Sequence, residues 1–281
     1  MSKDEKYRMK ETDVSAFQSH ATLCATGKQR KENQDSVLTL SVHWNVLAVS
    51  ILCISDGMGG LSEGKRASSL CVEGLAAWFH DMFSSDSRRI LSDENLEKER
   101  NALFDAIFRV HESLNRTLHE EAAGKNLSMG ATCTTLLIIG DAYAYVHIGD
   151  TRLYVKKKHL PLRQITHDDS LAYLDYQQGK IRKGAIRRHP KRNVLTRCMG
   201  NAPPAKLSSG RGRIAPDDVF FLCSDGVHGY CSDWSIGSAM NKTLKKGEEA
   251  GIHQLDRIIL RSPAAYNYSM ILATCRKKNP R

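Results

Sequence analysis

Val46–Ile54 reads VLAVSILCI and runs straight into Ser55–Gly60, SDGMGG. The first part has the length and the Val, Ile and Leu content of a buried strand, and the glycines mark a place where the backbone turns or is closely approached. An aspartate at a strand end beside glycine suits a metal or phosphate site, and it equally suits a plain turn. Phe220–Val227, FFLCSDGV, repeats the design: an apolar strand, then Ser-Asp-Gly. Asp56 and Asp225 are thus delivered by the same device. Carboxylate oxygens are the ligands that hard divalent cations such as Mg²⁺ and Mn²⁺ prefer. Upstream, GKQRKENQDSVLTL (Gly27–Leu40) adds Arg30, whose planar guanidinium can grip a phosphate with two N–H groups, and Asp35, just ahead of another strand-like run.

Outward from these stretches, helix and strand signals come in blocks. Glu63–Phe83 and Asn95–Ala122 place apolar residues at helical spacing and predict two long helices. Gly130–Gly140, Asp141–Lys158 and the short RQIT that follows predict consecutive strands, with Gly-Asp pairs at 140 and 149 as turns. Asp168–Gly200 is polar, helical at first and basic later. Strand returns at Asp217–Val227, one helix follows, and YSMILATC closes the chain as a strand. Strands segregated from helices predict an α+β domain built on antiparallel pairs. It would span residues 17–276, with a basic segment at about 168–200 and polar, charged, flexible ends at 1–16 and 277–281.

The chain has 281 residues, 41% hydrophobic and 26% charged, enough for a substantial core. The N-terminus lacks the apolar stretch of a signal peptide, and no run approaches the roughly 18 apolar residues needed to cross a bilayer. A cytoplasmic location is therefore expected. Of the eight cysteines, Cys53, Cys133 and Cys223 lie inside apolar runs, and neither CxxC nor zinc-finger spacing occurs, so they read as reduced, buried small hydrophobes. The formal charge of +10 suggests an anionic partner. Much of the excess falls in GKIRKGAIRRHPKRNVLTR (Gly179–Arg197), which has no acid and no aromatic to stack a base. No recognised nucleic-acid motif accompanies it, which favours acidic or phosphorylated protein over nucleic acid.

Taken in order, the motifs resemble the metal-dependent protein phosphatase family, the protein phosphatase 2C group, from about Thr26 to Thr274. GKQRKENQDS is similar to the family's Gly-x-x-Arg-x-x-Asn-Glu-Asp-Ser, and SDGMGG with the downstream EGKRAS to its Asp-Gly-Met/His-Gly-Gly signature. MGATCTTLL, VHIGDTRLYV, ITHDDSLAYLDYQQGKI, HPKRNVLTRCMG and VFFLCSDGVHGYCSD resemble further family blocks. The resemblance implies a four-layer α-β-β-α sandwich, two antiparallel sheets flanked by helices. It implies that Asp56 bridges two Mg²⁺ or Mn²⁺ ions, that the Gly57 carbonyl reaches one, and that Asp225 binds the second. A water activated by the pair would attack phosphorus in line, without a phosphoenzyme. Arg30 would hold the phosphate and Asp35 would orient the water. The basic segment lies where the family carries a flap beside the site, so Arg187, Arg188 and Arg192 would attract a phosphoprotein made by a serine/threonine kinase. A monomer is expected.

Departures from the family pattern bear on activity. Gln34 stands where the family has Glu, and Tyr266 where it has a metal-binding Asp; a phenol is a poor replacement for a carboxylate. Ser128 and its neighbours lack the acid of a third metal site. Met58 is the bacterial form of the signature and removes a histidine general acid. Two readings remain. The surviving Asp56, Asp225 and Arg30 favour an active but atypical phosphatase with a weak second metal; the alternative is a pseudophosphatase that binds phosphoproteins without turnover. Asp168 and Asp169 remain as possible outer ligands, and Asp256 or Asp169 is the alternative source of the ligand missing at Tyr266. His147 and His228 read as packed histidines, His189 as a loop-former, and Asp150 as a turn residue paired with Arg152.

Overall fold

The computed structural model describes residues 16–44, 47–59, 61–83, 93–125, 129–201, 205–262 and 266–277. Most of the two ends read as flexible (1–15 and 278–281) lies outside the described residues, as do Gly60 and Ser128. In chain order the elements are β1 (Ala16–Ala25), β2 (Asp35–Trp44), β3 (Leu47–Gly59), α1 (Leu61–Phe83), α2 (Asp93–Gly124), β4 (Met129–Ala131), β5 (Cys133–Ile139), β6 (Ala142–Ile148) and β7 (Arg152–Lys156). Then come β8 (Arg163–Gln164), α3 (Leu171–Gln177), a 3-10 helix (Lys183–Arg188), β9 (Ser208–Arg213), β10 (Val219–Cys223), α4 (Asp225–His228), α5 (Asp233–Lys246), α6 (Glu248–Ile259) and β11 (Tyr268–Lys277).

The strands form two sheets in which every pairing is antiparallel. One runs β1-β11-β10-β7-β8 and the other β2-β3-β5-β6-β9, with β4 added to the end of β3. Helices α1 and α2 cover the outer face of the six-stranded sheet, and α5 and α6 cover the five-stranded one. The layers are α-β-β-α, as the resemblance implies. The continuous apolar run of β3 is explained by this stacking. Val49, Ile51 and Cys53 face the α1/α2 layer, while Leu52 and Ile54 face the opposite sheet, so both faces of the strand are buried.

The deciding stretch does not turn where its glycines suggest. β3 continues through Ser55–Gly59 because it has partners on both sides: Asp35 of β2 lies opposite Asp56, and Ala131 of β4 lies opposite Gly57. Gly57 is required by close approach, since a Cβ there would sit 1.9 Å from the Gly64 carbonyl oxygen of α1. The second Asp-Gly does end its strand. β10 stops at Cys223, Asp225 opens α4, and a Cβ on Gly226 would meet the Asn267 carbonyl at 1.9 Å. In place of the single late helix expected there are two, α5 and α6.

Candidate active site

Both Asp-Gly motifs open at one edge of the sandwich. Asp35 and Asp56 face each other across the β2–β3 ladder, and Asp225 arrives from the end of β10 in the other sheet. The sheets are joined at this edge by Asp35, which is 1% exposed: its Oδ2 accepts hydrogen bonds from Ser224 Oγ (3.0 Å) and Ser269 Oγ (2.6 Å). Asp56 sits near enough to Asp35 and Asp225 for their charges to act on it. Its own backbone is pinned to β4–β5, with its N–H donating to Thr132 Oγ1 (2.9 Å) and its carbonyl accepting from the Thr132 N–H (2.9 Å).

Asp56 and Asp225 border a cavity of about 320 Å³ whose walls also include Arg30, Gln34, Gly57, Asp150 and Tyr266, with Asn193 and Leu195 of the basic segment on one side. Asp35, expected to orient a water there, lies buried opposite Asp56 and does not line the cavity. Asp150 sits in a turn, as the sequence predicts, but the pairing with Arg152 expected from their spacing is not formed. Arg152 directs its fork at Asp168 instead, Nε to Oδ1 at 2.8 Å and Nη2 to Oδ2 at 2.6 Å. Asp150, buried in the β6–β7 loop, becomes a third acid of the cavity. Asp168 and Asp169 are not spare ligands, since Arg152 holds the first and Arg197 the second. Asp256 accepts from the Tyr268 hydroxyl (2.8 Å) and does not border the cavity.

The electrostatics follow from crowding. Burial and then the charges of Asp35, Asp225 and Asp150 push the Asp56 carboxyl well above the usual range. Asp150 is raised by burial and then by Asp225 and Asp168, and Asp225 is pushed up to about 6 by burial and then by Asp35. In Asp35, burial outweighs the two serine hydrogen bonds and raises it too. Arg192, from the basic segment, is a cation that lowers Asp225.

The remaining predicted residues divide. Arg30 borders the cavity. Arg187 and Arg192 line an adjoining cleft of about 80 Å³ with Asp150, Asp225 and Tyr266. Arg187 donates through Nε (3.3 Å) and Nη2 (3.0 Å) to the Gly229 carbonyl, tethering the basic segment to the end of α4; Arg188 is exposed and borders neither space. The histidines are packed as expected: His147 lies between Thr134 Oγ1 (2.8 Å) and the His167 carbonyl (2.9 Å), and His228 Nε2 is 3.0 Å from the Asp150 carbonyl. His189 shapes its loop, its Nδ1 accepting from the Lys191 N–H (3.2 Å). Tyr266 has an unforeseen partner, the Arg30 guanidinium, 5.5 Å from the ring centroid.

The family model of protein phosphatase 2C matches residues 27–258, which contain all four acids. The chain belongs to the protein phosphatase 2C family. Among curated relatives of this protein phosphatase 2C chain, the serine/threonine protein phosphatase PstP of Mycobacterium tuberculosis is 29% identical over 261 residues, covering 92% of this chain and 45% of PstP. The chain therefore spans less than half the length of that relative. The serine/threonine phosphatase stp of Listeria monocytogenes is 26% identical over 227 residues, covering 80% of this chain and 84% of stp. The crystal structure of the M. tuberculosis PstP/Ppp phosphatase superposes with a TM-score of 0.76 at 26% identity, over 92% of this chain and 99% of that one. The PstP catalytic domain in complex with two manganese ions shares the fold at a TM-score of 0.70 and 24% identity, over 92% and 99%. Among the described residues no helix is long and apolar enough to cross a membrane.

Proposed function

We propose that this chain is a metal-dependent protein phosphatase that hydrolyses phosphoserine and phosphothreonine. One observation carries the reading: three carboxylates, Asp56, Asp150 and Asp225, line the cavity that Arg30 borders, with the buried Asp35 opposite Asp56 on the neighbouring strand. Such a set repels itself until it takes up protons or a cation. The residues fit a divalent ion. The buried Asp35 Oδ1 and Asn267 Oδ1 have no hydrogen-bond partner among the described residues, so acceptor capacity is left over. No three His, Cys, Asp or Glu side chains among the described residues form a ready-made ligand group. The donors are an open set, and Mg²⁺ and Mn²⁺ suit such a set because they keep several waters.

Asp56, the Gly57 carbonyl and Asp225 would hold the metal, with Asp150 as an added carboxylate. When bound, Mn²⁺ or Mg²⁺ supplies a more acidic water and neutralises phosphoryl charge. The chain's own residues do the rest. Arg30 binds the phosphoryl oxygens, Thr132 fixes the Asp56 backbone, and Asp35 with its serine donors holds the two sheets in register. Asn193 and Leu195 narrow the cavity mouth. Arg192 adds a cation beside Asp225, Arg188 attracts the acidic flank of a kinase-phosphorylated protein, and Arg187 keeps the basic segment docked. Met58 carries no proton, so the leaving alkoxide takes its proton from water.

The pseudophosphatase alternative draws support from Tyr266, which puts no carboxylate where the family has one. Hydrolysis of a generic aryl phosphate in millimolar Mn²⁺ separates the two. Wild type turns over while Asp56→Asn and Asp225→Asn do not; a silent wild type that still binds a phosphopeptide hands the case to the alternative.

A further inference from the structure

Tyr266 stands in the sequence as a lost metal ligand, yet in the structure it is engaged. The ring faces the Arg30 guanidinium at 5.5 Å from its centroid. None of the ion pairs among the described residues includes Arg30. The contact is not isolated. Lys28 Nζ donates to the Leu260 carbonyl (3.0 Å) and Asn267 Nδ2 donates to the Glu32 carbonyl (2.9 Å), so the loop carrying Arg30 is tied on one side to the end of α6 and on the other to the residue next to Tyr266. Tyr266 also borders both the acidic cavity and the Arg187/Arg192 cleft, as do Asp150, Asn193 and Asp225.

An aromatic face and a carboxylate would treat the same arginine differently. The ring attracts the flat face of the guanidinium and leaves the N–H donors at its edge free. A carboxylate within reach would take those donors in a bidentate pair and neutralise the charge. A phosphate-binding arginine that shares a cavity with three acids needs both its place and its free donors. We propose that Tyr266 is the positioning residue for Arg30: its ring sets the plane of the guanidinium so that the fork stands open toward a phosphate monoester. This rests on the assignment of Arg30 as the phosphate-binding group. It recasts the tyrosine as an exchange of roles, one metal ligand given up for an oriented arginine.

The test is a double-mutant cycle with inorganic phosphate as the calorimetric probe in excess Mn²⁺, alongside kinetics on a phosphoserine peptide. Tyr266 is 42% exposed on a loop, so its variants do not open a core cavity. Tyr266→Ala weakens phosphate binding about two- to fivefold, the range of an exposed cation–π contact, and raises KM with little change in kcat. Tyr266→Phe keeps the phosphate affinity within about twofold of wild type, because the ring and not the hydroxyl holds the arginine. In the Arg30→Ala background, Tyr266→Ala has no further effect. Additive losses in the double variant, or wild-type phosphate affinity in Tyr266→Ala, overturn the proposal. So does a Tyr266→Asp variant that tightens Mn²⁺ while phosphate affinity holds, since the position would then be a vacated ligand and nothing more. Calorimetry reads the coupling without turnover, so absent hydrolysis counts against the phosphatase reading alone.

Discussion

At the residue scale the site was legible where local grammar announces it. Asp56, Asp225 and Arg30 belong to strand-Asp-Gly and Gly-x-x-Arg patterns, and the structure brings all three to one cavity. Asp150 was not legible, because Arg152 two residues on offers an obvious local partner, whereas alternation along β7 sends Arg152 to Asp168, sixteen positions away. Crowding of the four acids gives a sign that can be measured. The Asp225 carboxyl, raised to about 6 by burial and then by Asp35, contributes stability below its unfolded value of 3.8 and loses it as pH rises through 6. Metal-free protein at pH 7 therefore carries that penalty. Asp225→Asn should raise the metal-free Tm, by an amount on the order of 1–3 kcal/mol in stability, and should lose the Mn²⁺-induced rise that wild type shows in a thermal-shift series. A wild-type Tm indifferent to Mn²⁺ rejects the assignment.

Elements are positioned by contacts that no window of sequence contains. The glycines after Asp56 look like a turn, but Gly57 is glycine because α1 packs its Gly64 carbonyl against it, seven residues downstream in sequence and on another element. Gly57→Ala should force β3 and α1 apart, lowering Tm by several degrees and weakening Mn²⁺ binding together; Gly184→Ala in the 3-10 helix, with nothing within 4 Å of its Cβ, should change neither. Helix α2 and β5 are joined by a second hidden contact. His111, fully buried, is 2.8 Å from the Ile107 carbonyl and 2.8 Å from Thr135 Oγ1, and burial lowers it to about 4. A depressed histidine stabilises the fold above its unfolded value near 6.5 and loses that contribution as pH falls toward 4, at about 1.4 kcal/mol per pH unit. Urea midpoints for wild type should therefore drop between pH 7 and 5 more steeply than those for His111→Gln. Parallel slopes would show that His111 is protonated inside the fold.

The whole sandwich is the scale at which local pattern says least. β1 and β11, the first and last strands, pair from Ala16↔Lys277 to Ala25↔Tyr268, and no periodicity encodes so distant a register. Only the order of motifs, through family resemblance, anticipated the four layers. Charge, by contrast, is a property of the whole chain that the sequence states openly and the fold then sorts. Asp56, Asp150 and Asp225 line the cavity, while Arg182, Lys183, Arg188 and Lys191 lie exposed on the same basic segment that brings Asn193 and Leu195 to its wall, and none of the four has an ion-pair partner among the described residues. Asp175 serves Lys180 and His189, and Asp169 serves Arg197. An acidic hole inside a basic rim favours cations at the bottom and an extended anionic chain across the top. Attraction of that kind acts through solvent, so salt screens it; at ~0.1 M the Debye length is about 10 Å, and at ~0.3 M it is shorter still. Raising salt across that range should increase KM for an acidic phosphopeptide severalfold and leave KM for a small aryl phosphate within about twofold, because only the peptide reaches the rim. Replacing Arg182, Lys183 and Arg188 together by Ser should abolish most of the salt dependence for the peptide. If both substrates respond alike, salt is acting on metal or phosphate at the cavity floor, and the rim plays no part in recognition.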